Sequence, residues 1–564
     1  MVIGAKMSTV QQTKITACVA DDKIELRGSF NERLNEFYRS LPRARWNNAK
    51  RCWTCDATPG AAWRILTCGF LADDYGFEPD ASLLRVADCI IRSEKLRDER
   101  GRFLPQPTTT QTKLWRHQLE AFHFANRLHA ALLAVCMGGG KSLAAIALLQ
   151  EKMCRTVLIL CPKSVLGVWR REFERHCSIP HAMLILDGSQ TVKKKTEMAE
   201  QHLLLSQAAN RLAVVVLNYE ASWRSDFLNW ATKKEWDAVI ADESHRLKHR
   251  SSKQSKAAYE IGRRAKFRLA LTGTPMPHSP LDLFGQFRFL DPGIFGTSYH
   301  RFRSLYAVSG DFGADHIVGF KNQEDLAAKM RLLTYEVAAN DADLDLPEVQ
   351  HHERTCSLGT EARRIYDEIE QEMISKVADG TITVSNALVK LLRLQQITSG
   401  HLKDDEETTH VIGTEKRDLL FEILDDIGPK EPVVVFCRFR HDLDMVREVA
   451  DSLDRRYGEI SGMHKDLTPN AEMPPDVDVL GVQVQSGGVG INLARSAYGV
   501  FFSLSFSLGD FDQCCARLHR VEQSRPVNFY HLVAKDTIDG KIYEALQKKR
   551  DVVDEILKYL RRDF

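Results

Sequence analysis

Six consecutive residues, M-G-G-G-K-S from Met137 to Ser142, are the part of this 564-residue chain best suited to phosphate chemistry. They stand between an apolar A-L-L-A-V-C and a helical L-A-A-I-A-L-L-Q, the order of strand, glycine loop and helix that a phosphate-binding loop requires. Gly138, Gly139 and Gly140 let backbone N–H groups approach phosphate at a helix N-terminus, where the dipole favours anions. Lys141 is placed to neutralise β- and γ-phosphate charge, and Ser142 to hold Mg²⁺. The full G-x-x-x-x-G-K-[ST] pattern asks for glycine where this chain has Val135, so the loop alone also fits a Gly-rich turn before a core helix.

Two further groups complete a nucleotide site. W-D-A-V-I-A-D-E-S-H puts Asp242 and Glu243 just past an apolar strand, Asp242 to bind Mg²⁺ and Glu243 to polarise an attacking water; two acids there are otherwise an ordinary turn. About a hundred residues separate them from Lys141, room for the intervening strands of one lobe. His245 and L-T-G-T-P, with Thr272, Gly273 and Thr274, are expected to couple phosphate state to lobe movement. Far downstream, D-Q-C-C-A-R-L-H-R-V-E-Q carries Arg517 and Arg520 three apart on one helix face. Their bland role is surface salt bridging; as arginine fingers they would cross a cleft and stabilise γ-phosphate charge, making hydrolysis depend on closure.

The elements that must position these groups follow from periodicity. Between about residues 114 and 292 the β-rich runs A-L-L-A-V, T-V-L-I-L-C, L-A-V-V-V-L, A-V-I-A and F-R-L-A-L-T alternate with helical patterns, which implies a parallel sheet covered by helices on both faces. Residues 293–412 lose the alternation and read as a mostly helical insertion. It returns with P-V-V-V-F-C, D-V-L-G-V-Q-V, Y-G-V-F-F-S and N-F-Y-H-L-V before a charged terminal helix. The fold class is therefore α/β: two RecA-like parallel-sheet lobes over 105–292 and 413–564, a helical insertion over 293–412, and a small α+β domain over 1–104.

Composition bounds the class of protein more than its task. The length suits roughly three or four folding units, and 44% hydrophobic with 27% charged residues is ordinary globular usage. Lys plus Arg total 77 against 76 Asp plus Glu, so any nucleic-acid site must be a local basic surface. No apolar run has signal-peptide or membrane-helix length, and the reading is a soluble intracellular protein of cytoplasm or nucleoid, or of the nucleus in a eukaryote, with no membrane partner. Thirteen scattered cysteines suit reduced thiols. Cys52 and Cys55 form the one C-x-x-C, which lacks a second ligand pair and reads as a strand with cysteines facing one way.

From about 114 to 545 the string of motifs resembles the Snf family of helicase-like ATPases in superfamily two. L-W-R-H-Q looks like the family's adenine-reading start, with Gln118; C-P-K-S-V-L-G-V-W-R-R-E-F resembles motif Ia and V-L-N-Y-E motif Ib. L-T-G-T-P-M-P-H-S-P-L-D-L-F-G-Q-F-R-F-L-D-P-G-I-F-G is similar to a string specific to that family, as is Q-S-G-G-V-G-I-N-L of motif V, followed by the Q-x-x-x-R-x-x-R of motif VI. The resemblance implies ATP and Mg²⁺ as cofactors, Gly490 beside the nucleotide, Gln513 in coupling, and Lys163, Tyr219, Ser486 and Gly487 against DNA held through its phosphates. The chain departs from the family at Val135 and Cys136, where Asp-Glu is usual, at Ser244, where Ala is common, and at His278 and Ser279, which replace an Asn pair.

At the other end, F-Y-R-S-L-P-R-A-R-W-N-N-A-K-R-C-W-T-C looks like the HARP-type module that accompanies annealing-helicase members of the family. Arg43, Arg45, Lys50 and Arg51 interleave with Trp46 and Trp53, which suits backbone charge plus base stacking at a junction of double and single strands; Trp46 and Arg51 are its candidate contacts. A small domain with core tryptophans and a solvated cationic face is the equal alternative. The expected function is a DNA-dependent ATPase that translocates on double-stranded DNA and remodels branched or protein-bound DNA, with strand annealing or fork remodelling among its expected tasks. A processive strand-separating helicase in a repair, replication or defence complex, and an ATP-switched DNA clamp with weak hydrolysis, are the alternatives.

Overall fold

A computed structural model of the chain describes residues 14–28, 31–95, 105–107, 110–310, 317–337, 346–378, 384–403, 408–468, 471–485, 491–520 and 522–561. Near the start, strands β1 (Thr16–Ala20), β2 (Lys23–Arg27), β3 (Arg45–Asn47) and β4 (Cys52–Asp56) form an antiparallel sheet in the order β1-β2-β4-β3. The Glu32–Arg39 helix covers it with Leu34, Phe37 and Tyr38, and Asn31 caps that helix by accepting from the N–H groups of Arg33 and Leu34. Cys52 and Cys55 are both buried, but three residues apart on a strand they point to opposite faces, because side chains alternate with a period of two. The expectation that they face one way is thus corrected, and burial raises both thiols, Cys55 to about 12.

A seven-stranded parallel sheet follows, built from β5 (Ala130–Val135), β6 (Thr156–Cys161), β7 (His181–Leu186), β8 (Leu212–Asn218), β9 (Trp236–Asp242), β10 (Ala265–Thr272) and β13 (Thr334–Val337), in the order β13-β5-β10-β9-β6-β8-β7. Its central strands read as unbroken apolar runs because helices cover both faces. A short hairpin, β11 (Ala307–Ser309) with β12 (Ile317–Phe320), lies in the connection to β13. The second parallel sheet runs β14-β21-β20-β17-β19-β18, from β14 (Val349–Cys356), β17 (Val433–Cys437), β18 (Tyr457–Ile460), β19 (Val479–Gln483), β20 (Tyr498–Phe501) and β21 (Val527–Ala534). Between them β15 (His401–Lys403) and β16 (Thr409–Val411) make a second hairpin.

The segment expected to be a helical insertion is only partly one. Its helices Thr360–Ala378 and Val384–Thr398 are there, but β13 joins the first sheet beside β5 and β14 joins the second beside β21 in an eight-pair register. Both are edge strands. β13 is four residues long, and β14, V-Q-H-H-E-R-T-C, alternates half-buried with exposed positions, so neither carries the apolar run that marks a central strand. The strand β7 escaped notice for the same reason, lying half-buried at the opposite edge of the first sheet.

The N-terminal sheet is fastened to the first lobe through the fully buried Asp291. Its carboxylate accepts from Gly60 N at 2.8 Å, Thr58 Oγ1 at 2.7 Å and Gly293 N at 2.8 Å, and pairs with His129 Nε2 at 2.9 Å. The L-D-P-G-I-F-G string is therefore also the seat of the module before it.

Candidate functional site

Three neighbouring strands of the first sheet bring the chemistry together. β5 ends in the glycine loop, β9 in the acid pair, and β10, hydrogen-bonded between them, in L-T-G-T-P; the register sets Thr272 opposite Ala134 and Leu271 opposite Asp242. Parallel strands expose loops and ligand sites at their carboxyl ends, so three segments drawn from residues 137 to 275 share one edge.

In the loop, Gly138 and Gly140 have φ of +79° and +74°, a region that side chains rarely enter, and Gly140 precedes the Lys141–Glu151 helix. A Cβ at Gly140 would run into Gln118 Nε2. Gln118 is buried, accepts from Trp115 N at 2.9 Å through Oε1, and donates to Gly139 O at 3.1 Å; His117 Nε2 also reaches that carbonyl, at 2.9 Å. Lys141 Nζ donates to the carbonyls of Val135 at 2.9 Å and Cys136 at 3.2 Å, and the Ser142 hydroxyl hydrogen-bonds Glu172, whose carboxyl burial raises. Gly273 lets the L-T-G-T-P turn lie on the loop: a Cβ there would stand 3.0 Å from Met137 Cγ.

Asp242 is held from three sides. Its Oδ2 accepts from Trp169 Nε1 at 3.0 Å, its Oδ1 from Glu243 N at 3.0 Å, and its carbonyl oxygen from Tyr219 OH at 2.7 Å. Burial, then the adjacent Glu243 carboxylate, push Asp242 above the usual carboxylate range. Burial would raise Glu243 also, but the hydrogen bond and charge of His245, with Lys141 and Arg517, outweigh it and hold that carboxyl low. Glu243 adopts φ of +51°, a left-handed conformation costing a non-glycine residue roughly 1–2 kcal/mol. His245 Nδ1 stands 3.3 Å from Glu243 Oε2 and 3.2 Å from Thr272 Oγ1, and Thr272 Oγ1 accepts from Thr274 N at 3.1 Å, so the acid pair is wired to the end of β10.

From the second lobe, the Leu508–Leu518 helix delivers Arg517, buried and close enough to Glu243 to act on its charge. Burial first, then Arg520, lower Arg517 to about 10, with Glu243 opposing; the guanidinium stays cationic at neutral pH. Arg520, three residues on, donates through Nε to Ala516 O at 3.2 Å, and Gln513 is buried on the same helix. A cation from one lobe, Arg517, thus faces Glu243 of the other.

Several residues sit where the spacing did not place them. Tyr219, expected on DNA, is fully buried with its hydroxyl committed to the Asp242 carbonyl, so it positions the acid pair; the apolar β8 packs its carboxyl end against β6 and takes the ring inside. Lys163 is exposed just past β6, and Trp46 and Arg51 are exposed on the N-terminal sheet, remote in the fold from the acids. Trp53 turns inward against Tyr38, the core position that one of the two sequence readings gave it, and donates to Asn35 Oδ1 at 3.0 Å, while Trp46 packs across the strands on it and stays 49% exposed. Ser486, Gly487 and Gly490 lie outside the described residues. Unforeseen were Trp169, Glu172 and Gln286. Gln286 is fully buried; its Oε1 accepts from Ser244 Oγ at 2.8 Å and its Nε2 donates to Pro275 O at 2.6 Å, joining the acid loop to L-T-G-T-P. The i, i+3 spacing of Trp169 and Glu172 marks one helix face, but their targets lie 73 and 30 residues away in sequence.

Two parallel sheets with a glycine loop and acids on one, and an arginine helix facing them from the other, define an α/β protein of two RecA-like lobes. The chain belongs to the SNF2-related family: the SNF2-related domain matches residues 82–401, more than half its length. It is similar to the SWI/SNF-related matrix-associated actin-dependent regulator of chromatin subfamily A-like protein 1 homolog of Caenorhabditis elegans, 27% identical over 79% of this chain and 62% of that protein. It is also similar to a Chromodomain-helicase-DNA-binding protein 1-like of Danio rerio, 25% identical over 75% of this chain and 41% of that one. The chain therefore spans about six-tenths or less of these relatives' lengths. The Sulfolobus solfataricus SWI2/SNF2 ATPase core in complex with dsDNA matches at 23% identity over 81% of this chain and 95% of that one, with a TM-score of 0.38. Among the described residues no helix is long and apolar enough to cross a membrane, and no cluster of His, Cys, Asp or Glu has the make-up of a preformed metal site.

Proposed function

We propose that this chain is a DNA-dependent ATPase that translocates on double-stranded DNA and remodels branched or protein-bound DNA. The observation that carries the reading is the approach of Arg517 to Glu243 across the two lobes, directly beside a glycine loop and its lysine. Such an arrangement makes hydrolysis conditional on closure, which is what a motor needs and a passive clamp does not.

The residues fit Mg²⁺ and a nucleotide triphosphate. Lys141 spends its N–H groups on two backbone carbonyls that phosphate oxygens would replace, and Glu243 Oε2 is buried with no hydrogen-bond partner besides the nearby His245 ring. ATP supplies the anhydride bond and Mg²⁺ the charge neutralisation. Gln118 is set to orient the base, Gly138 to Gly140 and Lys141 to bind the phosphates, and Ser142, released from Glu172, with Asp242 to hold the metal. Glu243, kept ionised by His245 and Lys141, orients the attacking water and takes its proton. Arg517 and Arg520 meet the charge that develops on the transferred phosphoryl group. His245, Thr272, Gly273, Thr274 and Gln513 link that event to the neighbouring segments.

On the nucleic-acid side, exposed Lys163, and Ser486 and Gly487 of the Q-S-G-G-V-G-I-N-L string, are proposed phosphate contacts. Similarity to relatives named for regulation of chromatin and for DNA binding supports DNA as the partner. We place the N-terminal sheet at a junction between single and double strands, where Trp46 can stack a base beside Arg43, Arg45 and Arg51, the fork-remodelling task of the annealing-helicase branch. Steady-state ATP hydrolysis with no DNA, single-stranded, duplex and forked DNA tests the whole. Duplex or fork stimulation, abolished by Lys141→Ala and by Glu243→Gln with DNA binding retained, is the expected result. Hydrolysis persisting in both variants refutes the site assignment.

A further inference from the structure

A ledge of cations stacked on aromatic rings runs along the outside of the first lobe, apart from the nucleotide loop and the acid pair. Trp223 carries two: Arg224 Cζ lies 4.1 Å and Lys253 Nζ 4.5 Å from its ring centre. Arg250 Cζ is 4.6 Å from the Tyr299 ring, and Arg288 Cζ 4.6 Å from the Tyr259 ring. Arg288 donates to the Arg250 carbonyl at 3.2 Å, which ties the members together. Lys256 adds an exposed cation one turn along the Lys253–Gly262 helix, and exposed Arg43 of the N-terminal module is near enough for its charge to act on the Tyr259 hydroxyl.

None of Arg224, Arg250, Lys253, Lys256 and Arg288 forms an ion pair with a described carboxylate. The acids nearby are mostly spoken for: Glu260 by Arg263 at 3.0 Å, Glu220 by Arg246 at 3.4 Å, and Asp56 by Lys23, leaving Asp226. In a chain of net charge +1, five uncompensated cations in one strip are a local field that the composition does not require. A ring under a guanidinium covers its flat face and leaves the N–H edge free, the edge that binds phosphate oxygens. The Lys253–Gly262 helix, ten residues and so about 15 Å long, spans roughly four phosphates of one strand at about 3.4 Å each.

We propose that this ledge is a second contact for the phosphodiester backbone of DNA, carrying an arm of the substrate along the first lobe from the segment after β8 to the N-terminal module. The inference rests on DNA being the partner, and adds a path that none of the motif residues forms. Because Trp223 and Arg224 directly follow the short Tyr219–Ser222 helix at the end of β8, while Arg43 belongs to the N-terminal sheet, the ledge joins the motor to the proposed junction reader.

The test compares wild-type protein, Arg250→Glu/Lys253→Glu, and Lys163→Ala on short and long duplexes over a salt series. The charge reversals lie on exposed side chains, and a thermal melt identical to wild type shows the fold intact. We expect unchanged DNA-free hydrolysis, a drop of about tenfold or more in affinity for long duplex, a small change for short duplex, and a log–log salt slope shallower by about 2 for two lost phosphate contacts. Arg224→Ala/Arg288→Ala should act in the same direction. Affinity and salt slope equal to wild type on long duplex, with Lys163→Ala still impaired, overturn the ledge and leave the motor reading standing. Wild-type protein that binds no DNA overturns the motor reading itself.

Discussion

Adding one methyl group at Gly509 should uncouple the lobes without unfolding either. Gly509 lies in the first turn of the arginine helix, and a Cβ there would stand 2.6 Å from Pro277 Cβ, at the end of L-T-G-T-P-M-P in the first lobe. Non-bonded carbons rest about 3.5–4.0 Å apart, so alanine requires the lobes to part by about 1 Å at this point. Overpacking of this kind costs roughly 1–3 kcal/mol. The cost falls on the closed arrangement alone, and at about 1.4 kcal/mol per factor of ten it lowers the closed population roughly 5- to 150-fold. Alanine in a helix is itself favoured over glycine by about 1 kcal/mol, so the second lobe should melt no lower. The assay is DNA-stimulated kcat for Gly509→Ala beside its thermal unfolding, and then for Gly509→Ala with Pro277→Gly, which removes the carbon in the way. Loss of kcat with unchanged melting, largely recovered in the double variant, is expected. A single variant that hydrolyses at the wild-type rate, or a loss that Pro277→Gly does not relieve, refutes the reasoning that this contact is made only on closure.

Trp169→Phe keeps an aromatic side chain but deletes the N–H donor to Asp242, and should raise the Mg²⁺ concentration needed for half-maximal hydrolysis by about tenfold, the worth of roughly one to one and a half kcal/mol, in a metal titration at fixed ATP. Asp291→Ala strips an acceptor from the Gly60, Thr58 and Gly293 donors together; denaturant unfolding should show about 2–4 kcal/mol less stability, and limited proteolysis should release the N-terminal module first. His531 is buried and lowered to about 3, chiefly by burial and then by the His351 and His352 charges, so its unfolded form takes up a proton that the folded form refuses. Stability therefore falls as pH drops below about 6.5, by about 1.4 kcal/mol per pH unit from this group, and His531→Phe, a stacking replacement against Phe501, should flatten that slope in urea melts between pH 7 and 5.

The lobes were legible because their strands are central. The apolar runs of β5, β6, β8, β9, β10 and β17 need no partner to be recognised, since a strand covered on both faces must be apolar along its whole length. The edge strands β7, β13 and β14 were illegible for the converse reason: half-exposed, they need no such run. The glycines, Lys141, Asp242 and Glu243 announced themselves because phosphate chemistry restricts residue type and local order at once. Tyr219 misled because a motif letter carries no direction: the same tyrosine could face DNA or the interior, and the packing of β8 beside β6 turned it inward.

What the amino-acid order determined alone, then, was the kind of machine: glycine loop, acid pair and arginine helix are local patterns whose backbone and charge requirements are written into adjacent residues. Which groups meet was decided by tertiary structure. Trp169 reaches Asp242, Gln286 bridges Ser244 to Pro275, Asp291 seats the N-terminal module, and Arg517 approaches Glu243 only because parallel strands align their carboxyl ends and two lobes close on one another. Hydrogen bonds and charges act over a few ångströms of space, and no spacing along the chain records which distant segments folding will bring that near.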